Sequence, residues 1–302
     1  MRVLVTGASG FVGQRVVKEL LKNKHEVVVL TRNIAKSALN LGSRCKFVQW
    51  DAVSVPSQQA FEGVEAVINL MGEGLADKRW DDAQKRRIHD SRINGTHLLI
   101  KAIADMPKKP KVLVSASAVG IYGNRDAEEI TETSTTGSDF LANLCKEWEA
   151  EAFKAKDLGL RVVVVRTGVV LGRGGGALKK MLPVFKLGAG GPIGNGKQFM
   201  SWIHVDDLAS IYVEAVTNPT LQGAVNGTAP YPATNKEFTK ALGKALHRPA
   251  LMPVPAFALK AAFGEMSSVL LEGQRVLPKK IKEQKFRFHY PTLEMALKET
   301  AY

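Results

Sequence analysis

Thr6-Gly7-Ala8-Ser9-Gly10-Phe11-Val12-Gly13 sets three glycines at three-residue spacing between an apolar run, Met1–Thr6, and a segment, Phe11–Leu21, with helical apolar periodicity. The chain therefore opens strand, glycine turn, helix. In such a turn the first glycine permits the tight bend and the second lets a pyrophosphate approach the backbone. The third lets helix and strand pack closely, and the helix start offers unsatisfied N–H groups to phosphate oxygens. A glycine turn that serves packing alone is the competing explanation.

Working outward, apolar runs recur at Val27–Leu30, Cys45–Trp50, Ala66–Leu70, Val112–Ser115 and Arg161–Arg166. The intervening segments are long enough for crossover helices, notably Asp81–Ala104 and Phe140–Leu158. Strands alternating with helices give an α/β fold, a doubly wound parallel sheet of Rossmann type covered on both faces. From Gly168 the texture changes to glycine-rich Gly172–Gly176 and Gly188–Gly196, then to prolines and a basic tail. The reading is a nucleotide-binding domain at 1–167, with a returning segment at about 197–228. Residues 168–196 and 229–302 form a smaller C-terminal substrate domain.

With 302 residues, 45% hydrophobic and 24% charged, the chain is an ordinary globular protein with room for two cores. No apolar stretch spans a membrane and the N-terminus lacks a signal-peptide pattern, so a cytoplasmic location without membrane contact is expected. Cys45 and Cys145 show no metal-binding spacing and read as free thiols, and no metal site is expected. Lysine and arginine exceed the acids by 42 − 29 = 13. Nucleic-acid binding is the weaker alternative this charge raises. The basic clusters at Lys101–Lys111, Lys179–Lys180 and Lys279–Arg287 carry no interleaved aromatic pattern, so they read as solvated faces and no nucleic acid is expected.

The end of the second strand chooses the cofactor, since an acid there holds a ribose 2′-hydroxyl whereas arginine accommodates a 2′-phosphate. Leu30-Thr31-Arg32-Asn33 offers arginine and no acid, which favours NADP. Asp51, after the third strand, reads as a cap or an adenine contact.

The glycine loop with Asn69-Leu70-Met71-Gly72, Ser115-Ala116-Ser117, Tyr122-Gly123 and Trp202-Ile203-His204-Val205-Asp206-Asp207 resembles the extended short-chain dehydrogenases and nucleotide-sugar epimerases. Gly72-Glu73, Arg79-Trp80, Ser91-Arg92, Gly95-Thr96, the run Arg166–Gly172 and the tail Leu271–Pro278 look like one atypical subgroup. That subgroup is called "epimerase family protein" or cell-division-inhibitor-like, and it carries its own C-terminal domain of unknown function. The resemblance implies pyrophosphate contacts from Gly7, Gly10, Phe11, Val12 and Gly13, and 2′-phosphate contacts from Thr31 and Arg32. It places Leu70 and Met71 along the adenosine side, with Arg92 and Val170 closing the far side. His204, Asp206 and Asp207 are expected chiefly to anchor the two lobes, and Arg79 and Trp80 to bind substrate or cap a helix.

Extended members move protons with a Tyr-x-x-x-Lys pair and a serine, while the nicotinamide carries hydride. Here the matching helix reads Phe140-Leu141-Ala142-Asn143-Leu144-Cys145-Lys146, so neither the phenol nor the amine is present. Lys146, two residues on, lies roughly 200° around the helix. Ser117 and Tyr122 remain as the catalytic candidates. The expectation is an NADP-dependent oxidoreductase or epimerase-like enzyme acting on an unidentified small polar metabolite, as monomer or homodimer. A non-catalytic NADP(H) sensor is the alternative.

Overall fold

Valine-rich runs buried on both faces and helices with one apolar side assemble as that alternation predicts. The computed structural model describes residues 1–75 and 78–300; residues 301 and 302, the end of the expected C-terminal domain, lie outside the described set. The chain opens as β1 (Arg2–Thr6), α1 (Phe11–Lys22), β2 (Glu26–Thr31), α2 (Ile34–Leu41), β3 (Cys45–Gln49) and β4 (Ala66–Asn69). It continues through α3 (Asp82–Ala104), β5 (Val112–Ala118), β6 (Glu129–Ile130), α4 (Phe140–Phe153), β7 (Arg161–Thr167) and β8 (Val169–Leu171). Next come α5 (Gly176–Lys186), β9 (Phe199–Met200), β10 (Trp202–His204), α6 (Val205–Thr217), β11 (Gly223–Gly227), β12 (Ala233–Thr234) and α7 (Asn235–Ala245). The tail holds α8 (Ala256–Phe263), α9 (Ser268–Leu271), β13 (Arg275–Val276), α10 (Lys279–Glu283) and α11 (Leu293–Thr300).

Seven parallel strands form one sheet in the order β3-β2-β1-β4-β5-β7-β11. The order reverses between β1 and β4, and that switch point opens a crevice at the carboxyl ends of the strands. Period-two alternation sorts side chains between faces: Val3 and Val5 join α1 and α6 residues such as Val17, Leu20, Leu208 and Ile211. Leu4 joins Leu99 and Ile103 of α3 and Ala152 of α4 on the other face. Six of the strands coincide with the apolar runs. The seventh, β11, reads Gly-Ala-Val-Asn-Gly and carries too few apolar residues to announce itself.

A further core gathers Leu171, Leu178 and Phe185 with Trp202, Phe238, Leu242 and Leu297. It is tied to α6 by the tail: Asp207 accepts the His289 and Tyr290 N–H groups at 2.7 and 2.9 Å, while His204 pairs with Glu299 at 3.0 Å and stacks on Tyr290. The anchoring expected of this stretch is thus visible, and no group of three or more His, Cys, Asp or Glu side chains among the described residues could hold a metal. Among the described residues no helix is long and apolar enough to cross a membrane.

The glycine turn is held by backbone contact. Gly7 has φ of 65°, and a Cβ there would stand 2.6 Å from the Leu70 carbonyl oxygen. At Gly13 a Cβ would stand 2.2 Å from the Gly7 carbonyl oxygen, so α1 can sit on the turn only without a side chain. Gly13→Ala is expected to lower unfolding free energy by about 1–3 kcal/mol through overpacking, read from urea unfolding; a loss below ~0.5 kcal/mol would show that α1 has room to spare.

Candidate functional site

At the crevice, no side chain caps α1, whose N-cap is Gly10, and the first-turn N–H groups of Phe11, Val12 and Gly13 have no acceptor within the helix. Beside it a buried polar cluster pins the strand ends. Thr6 donates to Asn69 Oδ1 at 2.7 Å, and Asn69 donates to Thr96 at 2.9 Å. Thr96 also accepts the Trp148 indole N–H at 3.2 Å, so β1, β4, α3 and α4 meet on one threonine. Leu70 follows Asn69 with its N–H on the Thr6 hydroxyl, and Met71 packs its sulfur and methyl over Gly95 of α3.

Arg32 leaves the end of β2 exposed, and its guanidinium has no hydrogen-bond or ion-pair partner among the described residues. The surrounding turn is fixed: the Thr31 hydroxyl bonds Ser37 Oγ at 2.7 Å and accepts the Asn33 N–H, while Asn33 caps α2 through Lys36 N. Thr31 therefore spends its hydroxyl on the turn that presents Arg32. Asp51 accepts from Val53 N, Ser54 N and Ser54 Oγ, and these bonds hold its carboxyl below the usual range. It caps a loop turn rather than a helix.

Arg92 is buried on α3, donating only to the Ile88 carbonyl and lying 5.1 Å over the Trp148 ring. Burial depresses its pKa, the Glu73 charge offsets part of that, and among the described residues no carboxylate forms an ion pair with it. A dry cation so placed calls for an anion. Gly72 backs directly onto the guanidinium, since a Cβ there would meet Arg92 Cζ at 3.0 Å. Val170, in β8, lies in register with Ile203, and the Phe11 ring fills the space left by Gly172 and Gly175.

Between these groups and the C-terminal segment lies a cavity of about 560 Å³ that includes Val12, Leu70, Arg92 and Ser117 in its walls. Thr167, Gly168, Val169 and Tyr212 line it as well. Phe140, Leu141 and Leu144 occupy the α4 wall, and Trp80 meets Phe140 edge-on at 5.3 Å. Asp139 caps α4 through Ala142 N, and Asp81 caps α3 through Gln84 N. This lining is largely apolar. Trp80 is buried in it, with its indole N–H on the Leu75 carbonyl, while Arg79 backs onto Gly264.

Ser117 reaches the cavity with its hydroxyl already committed, donating to Glu149 Oε1 at 2.6 Å. Glu149, on α4, is clamped by Arg166 of β7 through bonds of 2.8 and 2.9 Å. Burial works against the Arg166 charge, and Glu149 with Tyr122 more than offsets it, leaving the pKa above its ordinary value. Tyr122 corrects the expectation for it. Its side chain is fully buried, accepts from Arg166 at 2.9 Å, donates to Asn226 at 2.7 Å and does not line the cavity. Burial also pushes its phenol pKa up, away from proton exchange near neutral pH. Cys145, beside Ser117 in the cavity wall, is likewise pushed up to about 12 by burial and is no nucleophile.

Glu149 and Arg166 were not singled out by sequence reasoning. The available signal was an arginine closing the otherwise apolar strand Arg161–Thr167, and a glutamate at helical spacing from Cys145 and Ala152, both buried.

A doubly wound sheet with a glycine turn at its switch point, a strand-end arginine unpaired among the described residues and an adjoining cavity defines a dinucleotide-binding protein of the extended short-chain dehydrogenase type. The chain belongs to the NAD dependent epimerase/dehydratase family, which it matches over residues 3–226, and residues 254–300 match a domain of unknown function, DUF1731. It is 44% identical to an Arabidopsis thaliana epimerase family protein SDR39U1 homolog, described as chloroplastic, over 99% of this chain and 86% of that protein. The crystal structure of human epimerase family protein SDR39U1 with NADPH superposes with a TM-score of 0.90 at 40% identity, covering 100% of this chain and 99% of that one. A Bacillus cereus UDP-glucuronic acid 4-epimerase, solved with UDP-glucuronic acid and NAD, shares the fold at TM-score 0.80 and 19% identity, over 100% and 98% of the chains.

Glu149→Ala leaves the Arg166 charge buried and unpaired, and is expected to cost about 3–5 kcal/mol in urea unfolding. Adding Arg166→Met should recover part of that loss, whereas a single-variant loss below ~1 kcal/mol would mean that water solvates the guanidinium.

Proposed function

We propose that this protein is an NADP(H)-dependent oxidoreductase or epimerase-like enzyme that works without the Tyr-x-x-x-Lys pair. The observation that carries the reading is a trio of groups around the switch point: the α1 N-terminus with no side-chain cap, and Arg32 and buried Arg92, neither of which forms an ion pair among the described residues. Each is a receiver for phosphate. Gly7, Gly10, Phe11, Val12 and Gly13 would hold the pyrophosphate, and Arg32 the 2′-phosphate, with Thr31 acting through the turn it braces rather than by its committed hydroxyl. Leu70 and Met71 would flank the adenosine side, while Arg92 and Val170 would close the far side. The NADPH reported for the human relative is consistent with this set.

When bound, the nicotinamide supplies and accepts hydride. This chain's own residues then have three tasks. The aromatic wall excludes water, Ser117 accepts a hydrogen bond from the reacting group, and Glu149 with Arg166 fixes the direction of that bond. Tyr122 acts as a positioning residue through Arg166. We take residues 1–167 with 197–228 as the nucleotide-binding unit and 168–196 with 229–302 as the substrate unit. The loss of phenol and amine at Phe140 and Leu144 favours the alternative of a sensor without turnover. A cavity continuing past the cofactor residues favours the enzyme, since a sensor has no need of it.

Arg32→Asp is expected to weaken NADPH binding by roughly thirtyfold or more, the loss of a charge-assisted phosphate bond of about 2 kcal/mol, and NADH binding by less than about threefold. Titration by nicotinamide fluorescence checks this. Equal loss for both cofactors would remove Arg32 from the 2′-phosphate.

A further inference from the structure

We propose that the cavity beyond the cofactor residues takes an uncharged, largely apolar molecule that presents an alcohol hydroxyl to Ser117, and that it rejects sugar nucleotides. The proposal rests on the NADP(H) reading above and names the substrate class of that same site.

The first argument is the wall. Leu75, Trp80, Phe140, Leu141, Leu144 and Val269 face the cavity, and the edge-on Trp80–Phe140 pair makes part of it a fixed aromatic surface. Trp80 keeps its one donor on the Leu75 carbonyl at 2.8 Å, so it shows a ligand no hydrogen-bonding tip. Sites of this composition bind through excluded water and shape, with few polar contacts setting orientation.

Charge supplies the second. Although the chain carries a net +13, the polar side chains that join this cavity from its outer side include Asp139, Glu265 and Glu272. Burial first, then the Asp139 charge, raises the Glu272 pKa against the pull of Lys260, so a carboxylate here is already disfavoured in its charged form. Lys85 spends its charge on Glu265. Arg92 is the one cation in the described cavity wall, and the cofactor reading already assigns it to phosphate. A nucleoside diphosphate would therefore bring its charges to a described wall in which Asp139, Glu272 and the Lys85-paired Glu265 outnumber Arg92, with Lys260 acting on Glu272 from outside that wall.

Hydrogen-bond bookkeeping at Ser117 is the third. A serine hydroxyl has one proton, and here it goes to Glu149 at 2.6 Å, an acceptor held by Arg166 on both oxygens. What Ser117 has left to offer is its lone pairs, so its partner on the ligand must donate. An alcohol does; an ether or an unprotonated carbonyl oxygen does not.

The full-length protein saturated with NADPH, with saturation followed by nicotinamide fluorescence, is titrated in a calorimeter with 1-phenylethanol, its methyl ether and UDP-glucose. The alcohol is expected to bind at least tenfold more tightly than either of the others. Ser117→Ala should erase the preference for alcohol over ether while leaving ether affinity within twofold, and Trp80→Ala should weaken both by fivefold or more. Tighter binding of UDP-glucose, equal binding of alcohol and ether to the unmodified protein, or no alcohol binding at all by the NADPH-loaded protein overturns the proposal. If NADPH fails to bind while the alcohol still binds with the stated preference, the cofactor reading falls and the assignment of the cavity stands.

Discussion

A guanidinium enclosed by protein is stabilised by the acceptors it finds, and those that Arg166 finds organise the site. Its two bonds to Glu149 fix the roll of α4 against β7, which in turn decides that Phe140, Leu141 and Leu144 face the cavity. A third bond, to Tyr122, passes the constraint to Asn226 of β11, whose side chain donates to the Leu277 carbonyl in the tail. Glu132 adds a carboxylate oxygen to both Asn226 N and Lys280 N. Sheet, α4 and C-terminal segment are thus registered by one connected polar cluster inside otherwise apolar packing. Such a cluster specifies a unique arrangement because each alternative leaves a buried charge alone.

The same cluster changes what the serine on β5 can do. Where a phenol and an amine stand on the neighbouring helix, a proton can be given to a carbonyl oxygen and taken back. Here those positions carry a phenyl ring and a leucine, and the nearest titratable group to Ser117 is a carboxylate already engaged by arginine. In the proposed reading Ser117 orients a donor, beside an aromatic wall that supplies much of the contact area.

Much of the fold was legible because both strand and helix signals are strong where a sheet is buried on its two sides. Val3-Leu4-Val5 and Val162–Val165 can be little else. The cofactor end was legible as well, since glycine spacing and a strand-end arginine are local patterns. β11 was not, because Gly223-Ala224-Val225-Asn226-Gly227 owes its place to edge pairing with β7 rather than to its own composition. Tyr122 misled for a physical reason: a tyrosine near a strand end looks available, and only the structure shows Asn226 and Arg166 consuming both capacities of its hydroxyl. Glu149 was passed over because a glutamate among other glutamates on a helix reads as solvated surface. Its spacing from Cys145 and Ala152 is the one local sign that separates it from exposed Glu147, and its partner on β7 is remote in sequence.

The ring of Phe11 has a consequence that reaches beyond a single molecule. It rests in space that Gly172 and Gly175 leave open, so closely that a methyl group at position 175 would come within 2.2 Å of the ring. Residues more than 160 positions apart in the chain are in effect one character. In the descent of related sequences, a smaller residue at position 11 removes the reason for glycine at 175, while Val205 still crowds position 172, and a side chain at 175 removes the room for phenylalanine. These positions are expected to change together or not at all. A lineage that has kept the nucleotide turn but altered its first helical residue should carry the record of that change in the loop after β8.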